Sequence, residues 1–197
     1  MSPRPRPRAG PWPPLTRAGR RRWRDRRLAA YRGFGATLGW DVLGLHQDLS
    51  QRYPVAPLLA ARSAQAELAL VGPWDGWSAL VASVLVRPDA RPGARAPSDL
   101  VVQLTILDTG PLSPQFTATV GGSGPEVALL TGRDEHLLSL QQVLEGAVRG
   151  EDLWPGDHLA ADEVELLHAR TLTPAEPDLV GPLRLLSAVG KALSQRP

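Results

Sequence analysis

Four histidines, His46, His136, His158 and His168, are the first residues to test for metal or acid–base chemistry. None forms an HExxH motif or another closely spaced pair. Asp157, His158, Asp162, Glu163 and His168 together offer nitrogen and oxygen ligands of the kind a divalent ion takes. The competing reading is a set of solvated charges around a turn. The chain has no cysteine, so disulfides and thiolate metal sites are excluded. There is no G-x-S-x-G elbow, and Ser123 stands in a Gly122-Ser123-Gly124 turn with no residue marked as its base. GGSGPE lies between two strand-like runs and not at a helix start, so its amides are not placed to cradle a phosphate. No catalytic set, metal site or cofactor is predicted. The sequence points to a non-enzymatic binding or scaffolding domain, with a small enzyme lacking a recognisable motif as the competing class.

The strongest signal is charge. RRRWRDRR spans residues 20–27, and its Arg20, Arg21, Arg22, Trp23, Arg24, Arg26 and Arg27 form the candidate surface for an anionic partner. Residues 1–32 hold eleven arginines against one acid, Asp25, a net of +10; the remaining 165 residues carry a net of −8. A basic arm on an acidic body suggests a negative partner reached through residues 4–32. Three readings stay open. Arginine suits lipid or nucleic-acid phosphate alike, and Trp12 and Trp23 add stacking or interfacial surface. The third reading is the exposed first turns of a helix whose aromatic stripe packs on the domain. Cations at a helix N-terminus oppose the macrodipole, which favours fraying there. Trp74 and Trp77 flank an Asp-Gly turn and form a second candidate, an exposed aromatic hairpin tip. Its alternative is that at least one indole folds back over the sheet edge.

These residues need elements to position them. Residues 1–19 are rich in Pro and Arg and read as a disordered or polyproline-like arm. Residues 20–197 read as one α+β domain. Trp23, Arg27, Ala30, Tyr31, Phe34 and Leu38 recur at helical spacing, and residues 39–59 read as a turn, a short helix and a Pro-broken linker. Ala66–Val71 and Trp77–Val86 flank the Asp75-Gly76 hairpin signal. Residues 87–99 form a polar loop. Leu100–Leu107, Gln115–Val120 and Glu126–Leu130 continue the strands as a meander, with Phe116, Ala118 and Val120 inward. A helix follows from Asp134, with Leu137, Leu140, Leu144 and Ala147 inward and Gly150 as its stop. Residues 163–172 lean to strand. The last helix turns Leu179, Leu183, Leu186 and Leu193 inward, with Arg184, Ser187, Lys191 and Ser194 on its other side. The predicted architecture is an antiparallel sheet of about five or six strands with helices packed on one face.

The segments AAYRGFGATLGWDVL, AELALVGPWDGWSALVASVLV, LVVQLTILDTGPLSPQF and TGRDEHLLSLQQV, in this order, resemble a loose family of uncharacterised bacterial domains. Such domains usually follow transmembrane helices and have no assigned activity, so the resemblance carries over no site residue. This sequence lacks the upstream spans and has no secretion signal, since Pro11-Trp12-Pro13-Pro14 stands where an apolar core belongs. The resemblance therefore implies a soluble variant or a start upstream of Met1. The expected location is cytoplasmic, with peripheral contact at the inner membrane face as the membrane reading.

Overall fold

A computed structural model describes residues 17–44, 49, 53, 58, 61–88, 99–111, 115–121, 123–130, 134–150, 152–162, 164–172 and 177–194. Most of the predicted arm and of the 87–99 loop lie outside these residues. The elements run α1 (Arg17–Leu38), β1 (Asp41–Leu43), β2 (Ala61–Trp74), β3 (Trp77–Pro88), β4 (Leu100–Asp108), β5 (Phe116–Gly121), β6 (Gly124–Leu129), α2 (Asp134–Arg149), β7 (His158–Ala161), β8 (Glu165–Thr171) and α3 (Gly181–Ser194).

The fold is α+β, but the sheet has eight strands, in the order β1-β2-β3-β4-β8-β7-β5-β6. All pairings are antiparallel. The expected meander ends at β4. The chain then passes to β5 and β6 at the far edge, returns through α2, and fills the gap with the β7–β8 hairpin. Two strands escape sequence reading because they are short. β1 has three residues, all exposed, so burial imposes no alternation on it; most of residues 39–59, read as a turn, a short helix and a linker, lies outside the described residues. β7 has only four residues.

The β2–β3 turn forms as predicted. Asp75 and Gly76 both have positive φ, 53° and 91°, as a type I′ turn requires, and Trp74 pairs with Trp77 across it. Upstream of the turn, the register shifts between Ala66 and Leu68, so Glu67 is the extra residue of a β-bulge. The bulge reverses the parity of β2. Ala64 and Ala66 precede it and pack with Ala69 on one face, while Leu68 and Leu70 pack on the other.

Leu70, Val81, Leu107, Phe116 and Leu166 meet Tyr31 and Leu28 of α1, Leu140 and Leu144 of α2, and Leu183 and Leu186 of α3. This is the helix-covered face. The opposite face, from Ala64 through Val84, Leu104 and Leu167, is covered by Leu49, Tyr53 and Leu58. The inward residues expected for α2 and α3 are placed as predicted, with Ala147 and Leu137 half-buried. Ser187 is a correction: it is 5% exposed, because α3 lies in a groove against both the sheet and α2 and is buried around most of its circumference. Leu38, read as inward, is 40% exposed, because α1 ends at β1, the edge of the sheet.

Candidate functional site

α1 is docked through one side, which includes Arg27, and leaves Arg21, Arg22, Arg26 and Arg32 on the other. Trp23, Arg27, Leu28 and Tyr31 are buried, at the i, i+4 spacing that builds one stripe. Trp23 packs with Val101, Leu172 and Leu85 on the sheet. The Arg27 guanidinium lies 4.4 Å over the Trp23 ring and bonds Glu67, the bulged residue of β2. Arg24 Nε donates to the other Glu67 oxygen at 2.7 Å. Burial lowers the Arg27 pKa, although Glu67 opposes the shift. Arg21, Arg22, Arg26 and Arg32 are exposed and make no ion pair among the described residues. The predicted cationic set therefore divides. Trp23 and Arg27 are structural and closed to a partner, because their spacing points them at the sheet. Arg21, Arg22 and Arg26 face solvent, joined by Arg32, which the predicted set did not include; Asp25 is exposed among them. The side chain of Arg20 lies outside the described residues.

The C-terminal end of α1 is held as firmly. Gly39 has φ 67°; its N–H bonds Ala36 O, and Trp40 N–H bonds Gly35 O at 2.8 Å. This is the Schellman motif, with Trp40 edge-on to Phe34 at 5.7 Å as its apolar contact. The Trp40 ring lies on Gly72, where an added Cβ would stand 2.3 Å from the indole.

A second polar cluster lies inside the protein. Trp154-Pro155-Gly156-Asp157 forms a turn with Asp157 N–H bonded to Trp154 O, Pro in its second position and Gly156 at φ 92° in its third. The turn aims the Asp157 carboxylate at β8. Arg170 Nε and Nη2 grip it bidentately, at 2.9 and 2.6 Å. Nη2 also donates to Asp152 O, and the guanidinium stacks 4.2 Å from the Trp154 ring. His168 Nε2 stands 3.1 Å from Asp157 Oδ2. Burial pushes the Asp157 carboxyl upward, but His168 and Arg170 together outweigh it and hold the group at about 2. Burial lowers the His168 pKa despite Asp157, so the imidazole is neutral. Gln103 and Arg170 are cross-strand neighbours, as are Thr105 and His168, and Gln103 Nε2 donates to Asp178 O at 2.7 Å. Asp178 in turn caps α3 through the Val180 and Gly181 amides.

The reading of Asp157 and His168 as solvated turn charges is thus corrected: they are 1% and 0% exposed. The proposed ligand set also divides. His158 points the other way, its Nδ1 3.2 Å from Thr119 Oγ1, and Asp162 bonds the Val164 and Glu165 amides in the next turn. Glu163, His46 and the side chain of His136 lie outside the described residues. Arg170 and Gln103 were missed. The available signals were the Pro155-Gly156 dipeptide and the alternation Leu166, His168, Arg170 on one side of β8. The Asp157 carboxylate is buried and held by Arg170 and His168, so the cluster bolts together β8, the turn before β7 and the start of α3.

The hairpin tip is not an exposed aromatic pair. Trp74 and Trp77 are both half-buried. Trp74 meets Trp40 edge-on at 6.3 Å, and Trp77 lies against Gly190 of α3. Cross-strand pairing puts both indoles on the helix-covered face, where burial favours them. Lys191 closes on Asp75 at 2.6 Å beside an open cleft of about 470 Å³ lined by Trp74, Asp75, Arg184, Ala188 and Lys191.

No family model matches the chain, and no curated protein matches it. Among solved structures, the chain is similar to the crystal structure of the mycobacterial trehalose monomycolate transport factor A, TtfA. The TM-score is 0.57 at 13% identity, over 89% of this chain and 96% of that one. The likeness is one of fold. Among the described residues no helix is long and apolar enough to cross a membrane.

Proposed function

We propose that this chain is a non-enzymatic binding domain that docks on an anionic membrane surface through the outer face of α1 and the basic residues before it. The observation that carries this reading is the division of the α1 arginines. Arg27 and Arg24 are tied to Glu67, whereas Arg21, Arg22, Arg26 and Arg32 are held in solvent on a helix that Trp23 and Tyr31 fix to the sheet. A rigid cationic face pays little ordering entropy on docking, and each arginine near an anionic bilayer contributes about 1 kcal/mol. The fold neighbour is named a transport factor, which fits a binding role. The resemblance to domains that follow membrane spans points the same way.

The test is vesicle co-sedimentation at low salt. The full chain should bind vesicles containing phosphatidylglycerol, bind phosphatidylcholine vesicles far less, and release as salt rises. Replacing Arg21, Arg22, Arg26 and Arg32 by Gln should remove that binding. Removal of residues 1–27 would be a poor control, since it strips Trp23 and Arg27 from the sheet. Equal binding to neutral vesicles, or none to anionic ones, defeats the reading. Binding to single-stranded DNA but not to vesicles would transfer it to nucleic acid.

A further inference from the structure

The cleft beside the hairpin tip takes no part in the α1 surface. Arg184, Ala188 and Lys191 recur at spacings of four and three, so they form one stripe of α3, and all three are exposed. Leu183, Leu186, Val189 and Gly190 on its other sides are buried. Trp74 and Asp75 complete the lining of a space of about 470 Å³. Its walls are fixed. The tip turns through positive φ at Asp75 and Gly76, and Trp74 is braced edge-on by Trp40. An added Cβ at Gly190 would stand 2.9 Å from Trp77 Cη2, so α3 and the hairpin are in close contact there. The charges differ in availability. Lys191 closes on Asp75 at 2.6 Å and holds that carboxyl below its ordinary range. Arg184 makes no ion pair among the described residues.

We infer that this cleft binds a small carboxylate carried on a ring. Arg184 grips the carboxylate with its guanidinium fork, and the ring lies against the Trp74 indole over Ala188. The guanidinium matches carboxylate geometry bidentately, and an indole offers a ring a broad apolar face. Two cations against one acid leave the lining a net charge of +1. One carboxylate balances that charge, whereas a phosphate dianion would bring a second negative charge toward Asp75. Ala188 has the shortest side chain of the stripe and leaves the floor open. An aromatic wall with a few placed polar groups is the make-up of a small-molecule site. An aromatic ring and a sugar ring share this chemistry, and separate probes distinguish them. The cleft uses none of the α1 arginines, so it is tested apart from membrane docking.

The test is a titration of the isotope-labelled full chain, followed by NMR, with benzoate, glucuronate, acetate and benzyl alcohol. Benzoate, glucuronate or both should move the Trp74 indole N–H and the amides of Asp75, Arg184, Ala188 and Lys191, with a Kd on the order of 1 mM for so small a probe. Whichever of the two binds more tightly identifies the ring. Acetate lacks the ring and benzyl alcohol lacks the charge, and each should bind about tenfold more weakly. Arg184→Gln should erase the preference for benzoate over benzyl alcohol. Ala188→Leu keeps every charge and a good helix former, fills the floor, and should weaken the preferred probe about tenfold. Both positions are exposed, and an otherwise unchanged spectrum checks that each variant is folded. Acetate binding as tightly as benzoate and glucuronate overturns the ring site. Benzyl alcohol binding as tightly overturns the role of Arg184. Unchanged affinity in Ala188→Leu, or no shift at these residues at ten times the expected Kd, overturns the cleft itself.

Discussion

Arg170 and Arg21 carry the same guanidinium and meet opposite conditions. Arg170 is 3% exposed, gripped by Asp157 and stacked on Trp154. Arg21 stands in solvent on α1. Arg27 lies between them in kind: it belongs to the cationic run by sequence and to the interior by structure, 2% exposed with Glu67 as its partner. The buried arginines join elements distant in sequence; the exposed ones are left available. Desolvation decides which. A guanidinium taken out of water needs a carboxylate fixed opposite it, and the fold supplies one at two places, Asp157 from a tight turn and Glu67 from a β-bulge.

The contrast is broken most severely at Asp157. Asp157→Ala leaves the buried Arg170 with only the more distant, partly exposed Asp178 carboxylate at 3.6 Å and should cost about 3–5 kcal/mol in urea unfolding. At Glu67 the effect should be smaller, because its partner Arg24 is partly exposed. Glu67→Gln is expected to cost about 1.5–3 kcal/mol and to loosen α1, seen as faster amide exchange across residues 23–35.

Acid should separate the two regions. The folded pKa of His168 lies below its ordinary 6.5, so the unfolded chain takes up that proton first. Stability is complete above about 6.5 and declines as pH falls below it. Asp157 adds a second loss, beginning near its ordinary 3.8 and running down to its folded value of about 2. His168→Gln should shrink the upper limb of the stability–pH curve to the part that burial of His158 contributes, and narrow the lower one, because His168 helps hold Asp157 down. A curve unchanged by that substitution would remove His168 from the account.

The smallest effect on stability is expected on the outer face of α1. Changing Arg21, Arg22, Arg26 and Arg32 to Gln should shift unfolding by no more than about 0.5 kcal/mol per site. The same variant should lose anionic-vesicle affinity by several hundred-fold, on the order of 1 kcal/mol per arginine. A large stability loss would mean that these arginines are structural after all.

How much of this was legible depended on how local the cause is. The helical stripe from Trp23 to Phe34, the alternation of Phe116, Ala118 and Val120, and the Asp75-Gly76 turn follow from spacing and backbone sterics within a few residues, and all stand in the structure. The arginine run, too, was visible as charge. What it could not reveal was which arginines are free. That depends on Glu67, about forty residues away, being turned toward α1 by a bulge. β1 gave no pattern because no face of it is buried.

By itself, the amino-acid order determined the class of elements, the hairpin between Trp74 and Trp77, and the concentration of positive charge near one end. Tertiary structure alone decided that β8 and β7 lie between β4 and β5, that Asp157, His168 and Arg170 share one buried site, and that Leu38 reaches the sheet edge uncovered. The physical reason is that propensity and periodicity act over a turn or two of chain. Burial and desolvation are set by which distant segments close over a residue, and those are fixed only when the sheet is assembled.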